Sequence, residues 1–259
     1  MFARLRAFLE RHEVENHLFL GVLSSAPEGT RPVLAEVDGE IVAACVFVER
    51  NLVAGGDARS VPRLLEQWQG DVPGLVARAD LAEAWAQGWV ARRGCQAVVT
   101  YDQRIYQLET VREPRPVEGR LRPAGPGDVE QLASWIEGFT REALAHEALD
   151  REAIRAGAVR RSQGNLTYFW EVGGHPVAMA ALARPTRQVI GVNLVYTPPE
   201  LRGRGYASAV VAAVSREGLS RGHRLCALYT DLSNETSNRI YMKLGYQPVC
   251  DSRQYLFRY

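Results

Sequence analysis

The spacing of apolar residues changes period along the chain, and each change predicts an element. In MFARLRAFLERHE, Phe2, Leu5, Phe8 and Leu9 recur at helical spacing between charges, which predicts an amphipathic helix. Leu81, Trp85 and Trp89 form a second helical face, expected to pack against an N-terminal sheet. GRLRPA reads as a strand and GDVEQLASWIEGFTREAL as a helix, with Asp128 as its cap and Leu132, Trp135, Ile136 and Phe139 on one side. LTYFWEV and HPVAMAALA flank Gly173-Gly174, a hairpin signal. VIGVNLVY is a strand that Pro198-Pro199 must end, since proline cannot donate to a ladder. A helix follows from Gly205 to Gly222, with Ala207, Val210, Val211 and Val214 as its stripe. RLCALYTD predicts a buried strand and ETSNRIYMKLG a short helix closed by Gly245. YQPVCDSRQYLFRY predicts a final pair of strands turning near Asp251-Ser252.

Residues 113–119, EPRPVEG, are proline-rich and charged and lie between two apolar-patterned regions, so a domain boundary is expected there, giving domains 1–115 and 116–259. The first region carries a faint copy of the second. AEVDGEIVAAC (35–45) and WEVGGHPVAMA (170–180) align Glu36 with Glu171, Gly39 with Gly174 and Val42 with Val177. LAEAWAQGWVARRG followed by CQAVV likewise parallels AVVAAVSREGLSRG followed by HRLCALY. The expectation is a duplicated α/β fold.

Composition narrows the partners. The 31 basic and 30 acidic residues leave a net charge of +1, so no broad field draws nucleic acid or anionic lipid, and any basic site is local. Cys45, Cys95, Cys226 and Cys250 form no CxxC pair, which suits a reducing cytoplasm. No apolar run approaches membrane-spanning length, and the five histidines have no ligand spacing, so neither a membrane nor a metal is expected.

The candidate chemistry sits in VIGVNLVYTPPELRGRGYASAVVAAV. A strand ends, a Gly- and Arg-rich turn follows, and a helix begins with unpaired N–H groups and the positive end of its dipole at the turn. That arrangement is an anion site. Gly203 and Gly205 let backbone approach the anion, Ala207 keeps the first turn slim, and Arg202 and Arg204 add charge. A P-loop would end in Gly-Lys-Ser/Thr and a dinucleotide fold would show G-x-G-x-x-G; neither is present, and no nearby Asp is placed for Mg²⁺.

Arg202-x-x-Gly205-x-Ala207 resembles the Arg/Gln-x-x-Gly-x-Gly/Ala signature of the GNAT superfamily of N-acetyltransferases. LYTDLSNETSNRIYMKLGYQPV is similar to its second signature. The resemblance covers residues 120–259 well and 1–115 faintly. It implies two GNAT-like domains, each a mixed, mostly antiparallel twisted sheet flanked by helices, with splayed central strands in the second. It also implies that the backbone of Val195, Tyr196 and Thr197 bonds the pantetheine of acetyl-CoA, and that the amides of Arg202, Gly203, Arg204, Gly205, Tyr206 and Ala207 cradle its diphosphate. By the same resemblance Asn234 touches the pantetheine or the thioester end, and Tyr241 protonates the departing sulfur in a direct transfer to an amine.

For the amine's own proton, Glu171, Asp231 and the terminal carboxylate of Tyr259 are candidates. Glu171 reads more readily as an exposed hairpin charge and Asp231 as a helix cap, so no general base is singled out. The segment VPGLVARADLAEAW, taken as the first half's counterpart of the turn, lacks the signature, so one acetyl-CoA site is expected. The acceptor is a primary amine of a small molecule or peptide, in a monomer or homodimer. An acetyl-CoA sensor without turnover and an aminoacyl-tRNA-dependent transferase are the alternatives.

Overall fold

A computed structural model describes residues 1–259 apart from 49, 145, 147 and 148. In chain order the first elements are α1 (Phe2–Leu9), α2 (His17–Ser24), β1 (Val33–Val37), β2 (Glu40–Val48), β3 (Asn51–Gly56), α3 (Val61–Gln67), β4 (Gly74–Arg78), α4 (Ala79–Arg93) and β5 (Gln96–Leu108). Then come β6 (Arg120–Pro123), α5 (Val129–Ala143), α6 (Arg151–Gln163), β7 (Thr167–Val172), β8 (His175–Ala183), β9 (Val189–Tyr196), α7 (Tyr206–Ser220), β10 (Leu225–Asp231), α8 (Glu235–Lys243) and β11 (Gln247–Arg258).

Contacts divide the chain into two units. One comprises Met1–Tyr106, Tyr229–Ser233 and Pro248–Tyr259, the other Gln107–Leu228 and Asn234–Gln247.

In the first unit the strands run β1-β2-β3-β4-β11-β5, mostly antiparallel, with β3 and β4 parallel. The period-two alternation of β2 feeds two cores, because successive side chains leave a strand on opposite faces. Ala44 and Val46 pack with Leu5, Leu9, Phe19 and Leu20 of α1 and α2. Ala43 and Cys45 pack with Leu64 of α3 and with Leu81, Trp85 and Trp89 of α4. The two tryptophans stack at 6.5 Å between centroids, as their spacing predicts.

The second unit has the order β10-β9-β8-β7-β6, antiparallel except for the parallel pair β9 and β10. Leu132, Trp135 and Ile136 of α5 and Ala158 of α6 cover Phe169, Met179, Ala181 and Leu194 on one face. Helix α7 covers the other so closely that a Cβ on Gly218 would stand 2.8 Å from Ile190 Cγ2 and 3.0 Å from Leu182 Cδ2.

The final residues depart from expectation. β11 is one continuous strand with no turn at Asp251-Ser252. Those residues are polar for other reasons: Asp251 receives Arg104 at 2.7 Å, and Ser252 pairs with Arg78 in the ladder and donates to the Ala77 carbonyl at 3.1 Å. Asp128 is the N-cap residue of α5 as expected, but its carboxylate accepts from Gly125 N–H at 2.7 Å, closing the short turn before the helix, and makes no capping bond into α5 itself.

The order α-α-β-β-β-α-β-α-β is traversed twice, from α1 to β5 and from α5 to β11. The aligned hairpins share a backbone irregularity, with register shifts at Ala35/Glu36 and at Trp170/Glu171. The second sequence parallel does not hold. α4 and β5 occupy the ordinal places of α8 and β11, not of α7 and β10, because both α4 and α7 end in Arg-Gly or Arg-Arg-Gly stops that look alike. The first half's counterpart of the β9–α7 turn is therefore Gly55 to Ser60, ahead of α3, where Asp57 accepts from Arg59 N–H at 3.0 Å and pairs with its guanidinium.

Substituting Gly218 tests the packing of α7. Gly218→Ala forces a methyl against Ile190 and is expected to cost about 1–3 kcal/mol, read as a lower urea midpoint at unchanged m-value.

Candidate functional site

The ladder between β9 and β10 runs from Val189↔Leu225 to Gly191↔Ala227, and among the described residues it goes no further, although β9 continues to Tyr196. On its other edge β9 pairs Asn193 with Ala181 and Tyr196 with Met179, so Leu194 and Val195 together face Ala180. This is a β-bulge, which kinks the strand and re-aims its N–H groups. Leu194 takes φ +49°, a region that costs an L-residue roughly 1–2 kcal/mol. Its side chain is buried in the α5/α6 core, which holds the kink in place.

Pro198 ends the strand, Pro199–Leu201 make a single tight turn, and Gly203 and Gly205 adopt φ +77° and +85°. Gly205 is the N-cap of α7 and offers no side chain to close it. The first intrahelical bond is Ala209 N–H to Gly205 C=O at 3.1 Å, so the amides of Tyr206, Ala207 and Ser208 precede the helical ladder. The turn Arg202–Gly205 is exposed and the first turn of α7 has no acidic residue. Nothing lies within 4 Å of where a Cβ of Gly203 would stand. A Cβ on Gly205 would come 2.9 Å from Val117 Cγ1. Such a mouth offers aligned N–H donors and a positive dipole end to an anion.

The two arginines do different work. Arg202 Nε donates to the Thr197 carbonyl at 2.9 Å and Nη2 to Glu142 at 2.6 Å, while its guanidinium carbon stands 5.9 Å from the Tyr196 ring centre. It ties the turn to the strand end and to α5. Among the described residues Arg204 reaches only the Glu200 carbonyl, at 3.4 Å, and it remains exposed. Tyr196 lies over Gly138 of α5, where a Cβ would meet the phenol oxygen at 2.5 Å, and its ring is 6.2 Å from that of Trp135. Glu142 and Gly138 were not singled out in the sequence, although a glycine inside a helical pattern signals a close approach.

Asn234 and Tyr241 both lie at α8. Asn234 is its N-cap, its Oδ1 accepting from Ser237 N–H at 3.0 Å. Tyr241 is buried, edge-on to Tyr246 at 5.9 Å, and burial pushes its phenol up to about 12, partly offset by a hydrogen bond with Ser237. It therefore keeps its proton at neutral pH. Tyr246 in turn meets Ser215 of α7 at 2.8 Å.

The base candidates are placed as follows. Glu171 is not the exposed hairpin charge expected but is buried, with Oε1 receiving Arg120 at 2.8 Å and Oε2 receiving Arg122 at 2.6 Å. Those bonds hold its carboxyl below the usual range. Asp231 Oδ1 accepts from the amide and hydroxyl of Ser233 at 2.7 and 2.5 Å, so it closes the turn before α8 and leaves the helix cap to Asn234. Tyr259 belongs to the first unit, where its hydroxyl meets Val72 and the Trp89 indole. Among the described residues no group of His, Cys, Asp or Glu is arranged for a metal ion, and no helix is long and apolar enough to cross a membrane.

The second unit thus brings a bulged strand, an interrupted parallel ladder and a glycine turn into a helix together. Residues 129–246 match the Acetyltransferase (GNAT) family. The chain is 33% identical over 135 residues to the uncharacterized N-acetyltransferase YoaA of Bacillus subtilis (strain 168), a match that spans 50% of this chain and 66% of that protein. Among solved structures it is similar to a GCN5-related N-acetyltransferase from Kribbella flavida, at 17% identity and a TM-score of 0.63 over 94% of each chain. A Drosophila protein aligns with a TM-score of 0.71 at 12% identity, covering 98% of this chain and 94% of that one. These likenesses show a common fold over nearly the whole chain.

The arginine cluster around Glu171 predicts an acid limit. Arg122 also pairs with Asp128 at 2.8 Å, and it holds that carboxyl low as well. Both carboxyls have folded pKa values below their unfolded ones. Their contribution is therefore fully present above about pH 4, the unfolded range, and is lost as pH falls through the folded values. Arg122→Gln is expected to flatten the fall in thermal midpoint on acidification, measured by circular dichroism.

Proposed function

We propose that residues 116–259 form an acetyl-CoA-dependent N-acetyltransferase that acts on a primary amine of a small molecule or peptide. The observation that carries this reading is the helix mouth of α7, with Gly203 and Gly205 in left-handed conformations and three amides ahead of the first helical bond. A diphosphate fits there, because no side chain fills the approach to Gly203 and no carboxylate stands in the first turn. When bound, acetyl-CoA supplies an acetyl group already activated as a thioester.

The residues of the chain do the rest. Amides at Arg202 to Ala207 hold the diphosphate, and the free edge of β9 at Val195, Tyr196 and Thr197 holds the pantetheine. A backbone N–H near Tyr196 or Thr197, just beyond the bulge at Leu194, stabilises negative charge on the carbonyl oxygen. Tyr241, neutral up to about pH 12, keeps a proton available for the sulfur. The Asn234 carbonyl is engaged in capping α8, which fixes the start of the helix that carries Tyr241. Glu171 stays ionised between two arginines and is not the base. Residues 1–115 are a diverged copy of the same plan, and the Asp57–Arg59 pair at the position of the turn disfavours an anion there. The chain works in the cytoplasm.

Calorimetry with CoA and release of free thiol on addition of an amine library test this reading. Binding and release are expected; binding without release would leave a sensor, and the absence of both would overturn the assignment. Gly205→Val introduces a side chain at φ +85° against Val117 and is expected to weaken CoA binding by about tenfold or more. Tyr241→Phe is expected to lower kcat by about 10²–10³-fold with CoA affinity unchanged, and full turnover would remove the phenol from the mechanism.

A further inference from the structure

Resting on that reading, we infer that Asn193 is the residue that receives the acceptor amine, and that it makes the site selective for primary over secondary amines. Asn193 lies on β9 two residues beyond Gly191, where the ladder to β10 ends, and immediately before the bulge residue Leu194. Its ladder partner is Ala181, which belongs to the α5/α6 core, so the Asn193 side chain faces that same layer, since paired residues on adjacent strands share a face. The residue is partly exposed, yet its Oδ1 is buried with no hydrogen-bond partner.

Two hydroxyl oxygens of this unit, Thr167 Oγ1 and Thr197 Oγ1, share that condition. A hydroxyl carries its own hydrogen and rotates to find a nearby carbonyl, whereas an amide oxygen only accepts. Asn193 Oδ1 therefore lacks a donor among the described residues, at the point on β9 next to the bulge. Rotation about the last side-chain torsion exchanges Oδ1 and Nδ2, and no bond to Oδ1 opposes it.

A neutral primary amine brings two N–H bonds. One stays on nitrogen and remains donated to Asn193 in the amide product. The other proton leaves as the nitrogen–carbon bond forms and the carbon–sulfur bond breaks, and it ends on the sulfur. A secondary amine has only the proton that must leave, so Asn193 loses its partner during the reaction. A buried acceptor left unpaired costs enough to slow the reaction about tenfold.

The test compares CoA release from a panel of primary amines and their N-methyl counterparts. Wild-type protein is expected to favour the primary member by about tenfold or more in kcat/KM. Asn193→Leu is expected to bring that ratio close to one while CoA affinity by calorimetry is unchanged, and Asn193→Asp, which still accepts, is expected to keep the preference. If the leucine variant does not fold, Asn193→Ala makes the same comparison. Turnover with an unchanged ratio in the apolar variant overturns the role of Asn193 alone. Absence of CoA binding or of turnover in wild-type protein overturns the transferase reading, and this inference with it.

Discussion

The second unit depends on a ladder that stops. Among the described residues β9 and β10 are parallel neighbours for three paired positions, and then β9 continues without that partner. Unpaired backbone donors and acceptors on a strand are costly unless something else bonds them. Three devices keep the interruption open. The bulge at Leu194 bends the strand, Pro198 and Pro199 prevent it from continuing, and Arg202 bonds the carbonyl of Thr197 from the side. The same residues that end the ladder begin the turn that opens α7, so strand edge and helix mouth are placed by one short stretch of chain.

Helix α5 supports this stretch. Gly138 admits the ring of Tyr196, Trp135 flanks it, and Glu142 reaches the guanidinium of Arg202. An exposed ion pair contributes little by itself. Combined with ring packing and a carbonyl hydrogen bond, it restricts Arg202 to one geometry. The proposed anion site then draws its charge chiefly from oriented peptide N–H groups, which lose no side-chain entropy when used.

Much of this was legible in the sequence, and the failures have identifiable causes. Gly173-Gly174 marked the β7–β8 hairpin, Gly222 and Gly245 marked helix ends with positive φ, and Gly203 and Gly205 marked the turn, because each position imposes a conformation that few residues tolerate. Leu194 imposes nothing that its type reveals; its φ of +49° is dictated by the core around it. Asp251-Ser252 imitated a turn because polar residues in a strand look the same whether solvent or a neighbouring arginine satisfies them. The arginines that neutralise Glu171 are some fifty positions away in sequence, at 120 and 122, and only the β6–β7 pairing brings them across. Tyr241 was marked by its motif, but its burial against Tyr246 needed the fold.

The placement of β11 bears on how the molecule is assembled. Its residues belong with the first unit, hydrogen-bonded along β4 from Ser252↔Arg78 to Leu256↔Gly74. A polypeptide emerging from the ribosome presents Gly74–Arg78 long before it presents Gln247–Arg258. Until then one side of that strand is an open template carrying Leu75 and Ala77, the kind of surface on which nascent chains mispair. Synthesis order therefore makes the half that is translated first the last to be sealed, so a ribosome that stalls anywhere upstream of β11 leaves that half unfinished.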